Sequence, residues 1–530
     1  GSVSCFRASS SLLIADRYRY TDIRLHRYSF TLTDAVPMHR PGNCIDPYET
    51  TGSTVSQALR EHRMNRYEAL ADRLRADIRA GIYPPGQRLP SVRRIARQQQ
   101  LSIATCISAY RKLEAQGWLE ARPQSGFFAR TPEALPPRAH QTCDDESPGE
   151  VTMSERVAQL MRASHRDDLL VFSTAIPHAD FLPVKDVRTS LARALRHDDA
   201  GSARYGEFVG EEALRVQIAR RAVESGCQTH PDDIVITTGC QEALTLALRA
   251  TTRPGDIVAI ESPAFFGTLQ LIESLGLKAL EIPTDPQTGI SPDALELALE
   301  RWPVKACLAC TSFSNPSGAS MPDAHKRRLV QILSARDIAL IEDDIYGELA
   351  HNGERPRVAK AWDRSGHVLL CSSFSKTIAP GLRIGWIVAG RWRREVEQLK
   401  YGSTMATALL PQRALADYLA TGRWERHLAR VRRQYADQMA RMQAAIARHF
   451  PAGTRCTRPA GGFILWLELP EHVDALQLQS QALAAGISIS PGPMFSPQSK
   501  YRNCVRLMCA VRWDARVDAA LATLGRLAAD

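Results

Sequence analysis

The sequence predicts an α/β protein with two folded units. One is a small helix-turn-helix with a two-stranded wing, and the other is a large domain with a parallel-rich sheet and a small C-terminal α+β lobe. At 530 residues the chain is too long for one ordinary domain. A stretch rich in proline and acidic residues divides it, and beyond that stretch apolar strand-like runs alternate with helical patterns. Such alternation is typical of a mostly parallel sheet covered by helices.

Changes in composition divide the chain into four segments. Residues 1–63 alternate arginine, tyrosine, serine and threonine without a helical or strand period, so we expect a disordered extension there. Residues 64–130 form the small unit, and residues 131–150 form a linker because proline and acidic side chains cluster in them. The large domain occupies residues 151–530.

The positive charge of the chain is concentrated in the small unit. Of the formal net charge of +10, residues 64–130 carry +7, from twelve arginines and lysines against five aspartates and glutamates. Residues 1–63 hold eight arginines and six acidic residues, so the rest of the chain is close to neutral. This imbalance predicts a polyanionic partner for the small unit, and we expect double-stranded DNA.

Hydropathy and cysteine usage favour a cytoplasmic protein without membrane association. No apolar run reaches the roughly 18 to 20 residues that a membrane span requires. The 12 cysteines follow no regular spacing. Cys307 and Cys310 form a single CxxC in an apolar run that is typical of a buried strand, with no second pair to complete a zinc site. We therefore interpret them as packed thiols and expect no metal site.

The small unit is predicted to contain three helices followed by two strands. Their predicted bounds are Tyr67–Arg79, Ser91–Gln99 and Ser102–Gln116 for the helices, and Leu119–Ala121 and Gly126–Phe128 for the strands. Ser91 and Ser102 are placed as N-caps of the second and third helices. The two helix N-termini would then direct free backbone N–H groups at phosphates.

A series of turn and cap residues relates the small unit to a known family. The residues are Pro85-Gly86, Leu89-Pro90-Ser91, Arg93, Leu113, Gly117-Trp118-Leu119 and Gly126. In this order they resemble the winged helix-turn-helix of GntR-type transcription regulators. The resemblance implies that Ser91 and Arg93 contact the DNA phosphates and groove. It places Ser102 and Thr105 at the front of the recognition helix and Gly126 in the wing, whereas Ile103 stands where a basic residue is common.

The large domain is predicted from apolar runs and helical periods. Strands are expected at Ile234–Thr238, Ile257–Glu261, Val304–Ala309, Ala339–Glu342 and Val368–Ser372, and helices at Glu242–Ala250 and Asp323–Ala335. The last hundred residues add a long helix near Trp424–His449 and strands at Gly462–Leu469 and Cys504–Ala510, which indicate the small α+β lobe.

Lys376 marks a candidate cofactor site in the large domain. It lies in the run Ser373-Phe374-Ser375-Lys376, and Arg383 follows seven positions later. A lysine amine can form a Schiff base with the aldehyde of pyridoxal 5'-phosphate, and hydroxyls with a guanidinium can hold the phosphate. This grouping therefore predicts a site for pyridoxal 5'-phosphate.

Further residues in chain order can each be matched with a part of this cofactor. The helix that begins at Gly239-Cys240-Gln241 offers free N–H groups to the phosphate. Phe265 could stack on the pyridine ring, and the amide of Asn315 could donate to the phenolic oxygen. Single signals of this kind are also found in ordinary turns and cores, so it is their order around Lys376 that indicates a site.

Two acidic residues compete for the pyridine nitrogen. Asp343 and Asp344 both follow the strand that starts at Ala339, and Tyr346 comes shortly after them. A carboxylate beside the pyridine nitrogen keeps it protonated, and the tyrosine hydroxyl could bond the phenolic oxygen. The spacing to Tyr346 favours Asp343, but it leaves Asp344 open.

The large domain resembles the fold-type I aminotransferases, and its combination with the small unit resembles the MocR branch of the GntR regulators. The resemblance implies that Lys376 is the Schiff-base residue and that Asp343 pairs with the pyridine nitrogen. It implies a homodimer in which Tyr205 completes the phosphate site of the neighbouring subunit. It also implies that Arg506 grips an amino-acid carboxylate. Cys240 departs from the usual serine or alanine, and Phe265 from a common tyrosine.

Three functions remain open at this point. The first is a transcription regulator that senses pyridoxal 5'-phosphate, or an amino acid or amine effector, through Lys376. The second is a genuine aminotransferase with an accessory DNA-binding head. The third is a DNA-binding protein whose α/β scaffold binds no cofactor. The basic small unit favours the first.

Overall fold

A computed structural model describes residues 66–122, 125–130, 135–141, 147–153, 157–158, 162, 166, 168–197 and 203–529. The extension expected to be disordered at residues 1–63 lies outside the described residues, as does Met64.

The small unit contains three helices and one β-hairpin. Its elements are α1 (Arg66–Arg79), α2 (Val92–Gln99), α3 (Ile103–Ala115), β1 (Leu119–Arg122) and β2 (Gly126–Ala129). The hairpin is antiparallel and pairs Leu119 with Ala129. A helix-turn-helix with a two-stranded wing is thereby confirmed.

One face of α3 packs into the core of the small unit together with α1. Cys106, Ala109, Tyr110 and Leu113 recur at helical spacing and are fully buried. The Tyr110 hydroxyl donates to the Pro90 carbonyl at 2.7 Å and so ties α3 to the start of α2. The opposite face of α3 is left at the surface.

Residues 135–141, called the docked segment below, lie along the C-terminal lobe. The Cys456 N–H donates to the Pro137 carbonyl at 2.8 Å. The backbone N–H of His140 donates to Glu468 Oε2 at 3.0 Å, and the His140 ring lies 2.7 Å from Glu468 Oε1. This part of the predicted linker is therefore attached to the large domain by both backbone and side-chain contacts.

The central sheet of the large domain has eight strands in the order β4, β11, β10, β9, β8, β5, β6, β7. The strands are β4 (Ile234–Thr237), β5 (Ile257–Ser262), β6 (Lys278–Asp285), β7 (Gly289–Ile290), β8 (Val304–Ala309), β9 (Ala339–Asp343), β10 (Val368–Ser373) and β11 (Gly385–Val388). The five strands from β10 to β6 are parallel to their neighbours, while β11, β4 and β7 are antiparallel. The parallel-rich sheet is confirmed, with antiparallel strands at both edges.

Helices cover both faces of this sheet and continue into the lobe. They are α4 (Val184–Arg196), α5 (Glu212–Ala222), α6 (Cys240–Thr251), α7 (Phe266–Ser274), α8 (Pro292–Arg301), α9 (Asp323–Ala335), α10 (Arg393–Ser403), α11 (Leu409–Ala420), α12 (Arg423–His449), α13 (Ala475–Ala484) and α14 (Ala515–Leu527). Apart from the arginine-rich α12, these helices are short, and in the described residues none is long and apolar enough to cross a membrane.

The C-terminal lobe is an antiparallel sheet packed against helices. Its strands are β12 (Arg455–Cys456), β13 (Ile464–Glu468), β15 (Ser490–Pro491) and β16 (Cys504–Met508), and a separate pair joins β3 (Leu170–Val171) to β14 (Ile487–Ser488). In the order β12, β13, β16, β15, the strand β13 pairs Trp466 with Arg506 of β16. The predicted α+β lobe is confirmed, and its sheet joins Arg506 to the strand that holds the docked segment.

Candidate functional site

A cavity of about 230 Å³ opens at the carboxyl ends of the central parallel strands. Parallel strands bring the residues that follow them to one edge of the sheet, which is where ligands bind in such folds. Ten of the residues predicted for the cofactor line this cavity: Cys240, Gln241, Phe265, Asn315, Asp343, Tyr346, Ser373, Ser375, Lys376 and Arg383. The structure thus brings together side chains that are far apart in the sequence.

Lys376 lies inside the cavity with its amine removed from water. Its Nζ donates to the Ala175 carbonyl at 2.6 Å. Burial, together with the positive charge of Arg506, lowers the pKa of Lys376 to about 8, although Asp343 acts in the opposite direction. Because only the neutral amine is nucleophilic, this environment prepares Lys376 for attack on an aldehyde near neutral pH.

The structure distinguishes the two candidate acids. Asp343 ends β9 and lines the cavity, whereas the next side chain points elsewhere because neighbours in an extended chain alternate. Asp344 Oδ2 instead accepts a hydrogen bond from Arg355 Nη2 at 2.6 Å, in a buried ion pair. Burial raises the pKa of Asp343 to about 6. Asp343, not Asp344, is therefore the carboxylate that faces the cavity.

Cys240 contacts this carboxylate directly. Its thiol donates to Asp343 Oδ1 at 3.4 Å, and both side chains are almost fully buried. The hydrogen bond lowers the pKa of Asp343, in opposition to the larger effect of burial. A residue that the sequence placed near the phosphate thus also positions the acid at the other end of the site.

A cradle for an anion lies at the start of α6. Gly239 has φ of +79° and caps this helix, and a Cβ there would collide with the guanidinium of Arg383. Arg383 Nη2 donates to the Thr238 carbonyl at 3.2 Å, which holds the guanidinium beside the helix N-terminus. The buried Ser373 and Ser375 lie nearby, with the Ser375 N–H donating to Ser373 Oγ at 3.2 Å. Positive charge, hydroxyls and helix N–H groups converge here, as anion sites require.

Asn315, Tyr346 and Arg506 form a buried polar group beside the cavity. Arg506 does not line the cavity itself, but its Nη1 donates to Asn315 Oδ1 at 3.3 Å. Asn315 also hydrogen-bonds to Tyr346, whose pKa is raised by burial. The sequence linked Asn315 and Tyr346 to the phenolic oxygen of the cofactor and Arg506 to the carboxylate of an amino acid, and the structure joins all three in one hydrogen-bonded group.

The guanidinium of Arg506 is buried without a full set of partners. Its Nη2 donates to the Ser173 carbonyl and to Ser490 Oγ, the latter at 3.0 Å. Its Nε has no hydrogen-bond partner among the described residues. Burial lowers the pKa of Arg506 to about 10. A buried cation held by neutral oxygens has spare capacity for an anionic ligand.

Glu261 is a cavity residue that the sequence analysis missed. It lines the cavity and accepts a hydrogen bond from the Cys310 N–H at 2.8 Å. Burial raises the pKa of Glu261 to about 8, with a smaller contribution from Asp343. The available signal was an acidic residue at the end of an apolar strand, immediately before Ser262 and Pro263.

Tyr205 and the two cysteines of the CxxC are the remaining residues that the sequence singled out in the large domain. Tyr205 is 84% exposed and does not line the cavity of its own chain. Cys307 and Cys310 are free thiols and both are buried, in agreement with their interpretation as packed residues, and Cys310 lines the cavity. No group of three histidine, cysteine or acidic side chains suited to a metal ion occurs in the described residues.

The predicted DNA-binding residues of the small unit lie at the N-termini of α2 and α3 and in the wing. Ser91 caps α2 by accepting from the Arg94 N–H, and Ser102 caps α3 by accepting from the Thr105 N–H at 3.0 Å. Arg93 is exposed on α2. Gly126 starts the second wing strand with φ of +103°, which is a backbone conformation that favours glycine.

Comparison with known proteins relates both parts of the chain to described families. Residues 168–524 match the family "Aminotransferase class I and II", and residues 66–129 match "Bacterial regulatory proteins, gntR family". The uncharacterized HTH-type transcriptional regulator YjiR of Escherichia coli K12 is 40% identical over 462 residues, which cover 87% of this chain and 98% of YjiR.

Two further relatives represent the regulator and the enzyme. The probable rhizopine catabolism regulatory protein MocR of Rhizobium meliloti is 29% identical over 437 residues, covering 80% of this chain and 86% of MocR. The structure of LysN, an alpha-aminoadipate aminotransferase of Thermus thermophilus complexed with N-(5'-phosphopyridoxyl)-L-leucine, has a TM-score of 0.65 at 28% identity. It covers 72% of this chain and 98% of LysN. This chain therefore belongs to the aminotransferase class I and II family and carries a GntR-family helix-turn-helix domain, as a regulator of the MocR kind.

Proposed function

We propose that this regulator binds pyridoxal 5'-phosphate at Lys376 and uses it to detect an amino compound, and that detection alters the binding of its helix-turn-helix to an operator. The observation that carries the proposal is the lobe sheet. One of its strands holds Arg506 beside the cavity, and the adjacent strand holds the segment that leads to the DNA-binding domain.

The residues of the cavity fit pyridoxal 5'-phosphate, on which fold-type I aminotransferases depend. The cradle formed by Gly239, Arg383 and the two serines suits the phosphate, because a side chain at Gly239 would fill it. Asp343 would face the pyridine nitrogen, and Asn315 with Tyr346 would face the phenolic oxygen. When bound, the cofactor supplies an aldehyde that condenses with amines and a ring that withdraws electrons.

The protein side chains supply proton positions and orientation. Burial lowers the pKa of Lys376 to about 8, so a larger fraction of its amine is neutral near neutral pH than in an ordinary lysine. Asp343 would retain a proton on the pyridine nitrogen, and the Cys240 thiol fixes the orientation of that carboxylate. Buried walls exclude water, which strengthens each of these interactions.

Arg506 would select for a carboxylate on the amino compound. Its Nε is buried without a partner, and its remaining contacts are to uncharged oxygens. An incoming carboxylate can accept two parallel hydrogen bonds from a guanidinium. An α-amino acid therefore fits this site better than a simple amine, since its amine can reach the cofactor while its carboxylate reaches Arg506.

The lobe sheet offers a physical connection from Arg506 to the DNA-binding domain. Arg506 pairs with Trp466 across the two middle strands, and Glu468 of the same strand holds His140 of the docked segment. A ligand that displaces Arg506 would displace this sheet, because neighbouring strands are joined by backbone hydrogen bonds. Such a ligand shifts the DNA-binding equilibrium only if it binds the two arrangements unequally.

A homodimer is part of the proposal. Tyr205 is 84% exposed. Tyr401 and Phe208 are also exposed, and their ring centroids lie 6.2 Å apart. An exposed aromatic group of this kind is typical of an interface. Through it, Tyr205 would reach the phosphate site of the partner subunit, as the resemblance to fold-type I aminotransferases implies.

The visible absorbance of the purified protein tests cofactor binding and detection. With added pyridoxal 5'-phosphate, we expect a visible band that changes on titration with amino acids. In a separate sample without amino acid, borohydride should convert this band to a near-ultraviolet band that stays with the protein through denaturing gel filtration. Lys376→Ala should lose the borohydride-fixed band because the amine is gone, while a Lys305→Ala variant on β8 should retain it. A borohydride-fixed band in Lys376→Ala, or a visible band that no amino acid changes, would contradict the proposal.

Catalytic aminotransfer is the second candidate function, and the complete set of cavity residues favours it. Lys376, which would hold the cofactor, would also be suited to moving a proton at a bound substrate. Steady turnover of an amino acid and keto acid pair, by a chain that selects no DNA sequence, would support this function over regulation.

A further inference from the structure

Two large apolar side chains stand on the outer face of α3. Ile103 is 52% exposed and Ile107 is 37% exposed, and neither belongs to the apolar core of the small unit. They are four residues apart, so they lie one above the other on one helix face. Ala104 is exposed between them and leaves room for close approach.

The position of this isoleucine pair distinguishes it from scattered surface residues. It follows the Ser102 N-cap, at the helix end that a GntR-type unit presents to DNA. Exposed arginines flank it, including Arg93 on α2 and Arg111 on α3 itself. A surface with this excess of positive charge is complementary to DNA phosphates, and a helix of this kind enters the major groove. DNA is therefore the partner that we expect at this surface.

The chemistry of isoleucine restricts what the pair can recognise. Its side chain has no hydrogen-bond donor or acceptor, so it cannot read the polar edges of guanine, adenine or cytosine. The exposed apolar group in the major groove is the 5-methyl of thymine. On the basis of the proposed regulatory function, we propose that Ile103 and Ile107 recognise thymine methyl groups in the major groove of the operator.

The first step of the test is selection of binding sites from a library of random DNA duplexes by the full chain. Each thymine of a selected site is then replaced singly by deoxyuridine, which removes the methyl group and leaves the hydrogen-bonding edge unchanged. We expect an affinity loss of about fourfold at one or two thymines per half-site, the factor given by burial of one methyl group. Substitutions elsewhere in the site should have no effect.

Variants assign the effect to the two isoleucines. Ile103→Ala and Ile107→Ala should each bind the thymine and deoxyuridine sites equally at the affected position. Ile82→Ala removes a side chain that is 60% exposed outside α3, and it should retain the wild-type difference. Thermal denaturation of each variant checks that the fold is intact.

Two negative results have different meanings. A chain that selects specific sites but tolerates deoxyuridine at every thymine would overturn this inference and leave the regulatory function standing. A chain that selects no sequence would overturn the regulatory function, and the inference with it.

Discussion

At the scale of single residues, burial sets the chemistry of the cavity. Lys376 and Asp343 interact electrostatically, and burial shifts both groups toward their neutral forms, with pKa values of about 8 and about 6. Groups shifted by desolvation in a cavity are typical of functional sites. The environment of Lys376 therefore predicts how its reaction with an aldehyde should depend on pH.

The rate of cofactor capture should rise as the pH increases through about 8. The amine reacts only when neutral, and the lowered pKa of Lys376 makes it neutral at a lower pH than an ordinary lysine, whose pKa is about 10.4. The rate at which the visible band forms, measured from pH 6.5 to pH 10, checks this. A blocked lysine amino acid in solution is the control, and a midpoint for the protein as high as that of the control would contradict the structure.

Substitution of Cys240 should shift the titration of Asp343. The thiol donates to the carboxylate and stabilises its charged form, so Cys240→Ala should raise the pKa of Asp343 above about 6. Cys240→Ser keeps a donor and should restore the wild-type value. The measurement is the pH titration of Asp343 in the cofactor-free protein, followed by NMR of the aspartate side-chain carbons. The control is Cys307→Ala. Cys307 lies on β8 of the same sheet but belongs to a different apolar cluster, so its loss should not shift the titration of Asp343.

At the scale of elements, the sequence predicts long periodic helices most accurately. Helix α9 begins and ends as expected, because Pro322 precedes it and Asp337, with φ of +59°, follows it. Ser91 and Ser102 cap their helices as predicted, because their side chains accept hydrogen bonds from free N–H groups of the first turn. Strand ends differ from the predicted ones by one or two residues in both directions: β5, β9 and β10 are longer than predicted, whereas β4, β13 and β16 are shorter.

Side-chain direction was harder to predict than element type. Asp343 and Asp344 could be separated only once β9 had a definite face toward the cavity. Glu261 was missed because its signal, an acidic residue at the end of an apolar strand, is not specific to residues that line a cavity. The contact of Cys240 with Asp343 joins residues on α6 and β9, and nothing local in the sequence encodes it.

The exposed face of the helix-turn-helix predicts an electrostatic effect of Arg93. Arg93→Ala should weaken DNA binding about uniformly across sequences, and it should reduce the slope of log affinity against log salt by about 1 because one phosphate contact is lost. Affinity measured over a salt series checks the slope. Arg394→Ala removes the same charge from α10 of the large domain and should leave the slope unchanged. An equal change of this slope in both variants would contradict a direct contact between Arg93 and a DNA phosphate.

At the scale of the whole molecule, the docked segment follows the helix-turn-helix unit in the chain and lies against the lobe sheet that holds Arg506. Proline and acidic residues predicted a linker at 131–150, but not its attachment to the lobe. Two of those contacts use backbone groups, the Pro137 carbonyl and the His140 N–H. Every residue type has a backbone carbonyl, and every residue type except proline has a backbone N–H. Backbone contacts of this kind leave no sequence pattern, so only the structure shows them.

Release of the docked segment should uncouple the two sites. Glu468→Ala removes the acceptor for both the backbone N–H and the ring of His140. We expect cofactor binding and DNA binding to persist while the effect of an amino acid on DNA affinity falls severalfold. Fluorescence anisotropy with labelled operator, with and without amino acid, measures this effect. The matched control is Glu471→Ala, which removes an exposed carboxylate just beyond the same strand.

The central claim is that the ligand cavity governs DNA binding, and operator affinity measured at fixed salt tests it most directly. The affinity of the full chain should differ between protein alone, protein with pyridoxal 5'-phosphate, and protein with the cofactor and an amino acid. Lys376→Ala should abolish the differences because it removes the amine that would form the Schiff base. Identical operator affinities in all three conditions for the wild-type chain would contradict the account.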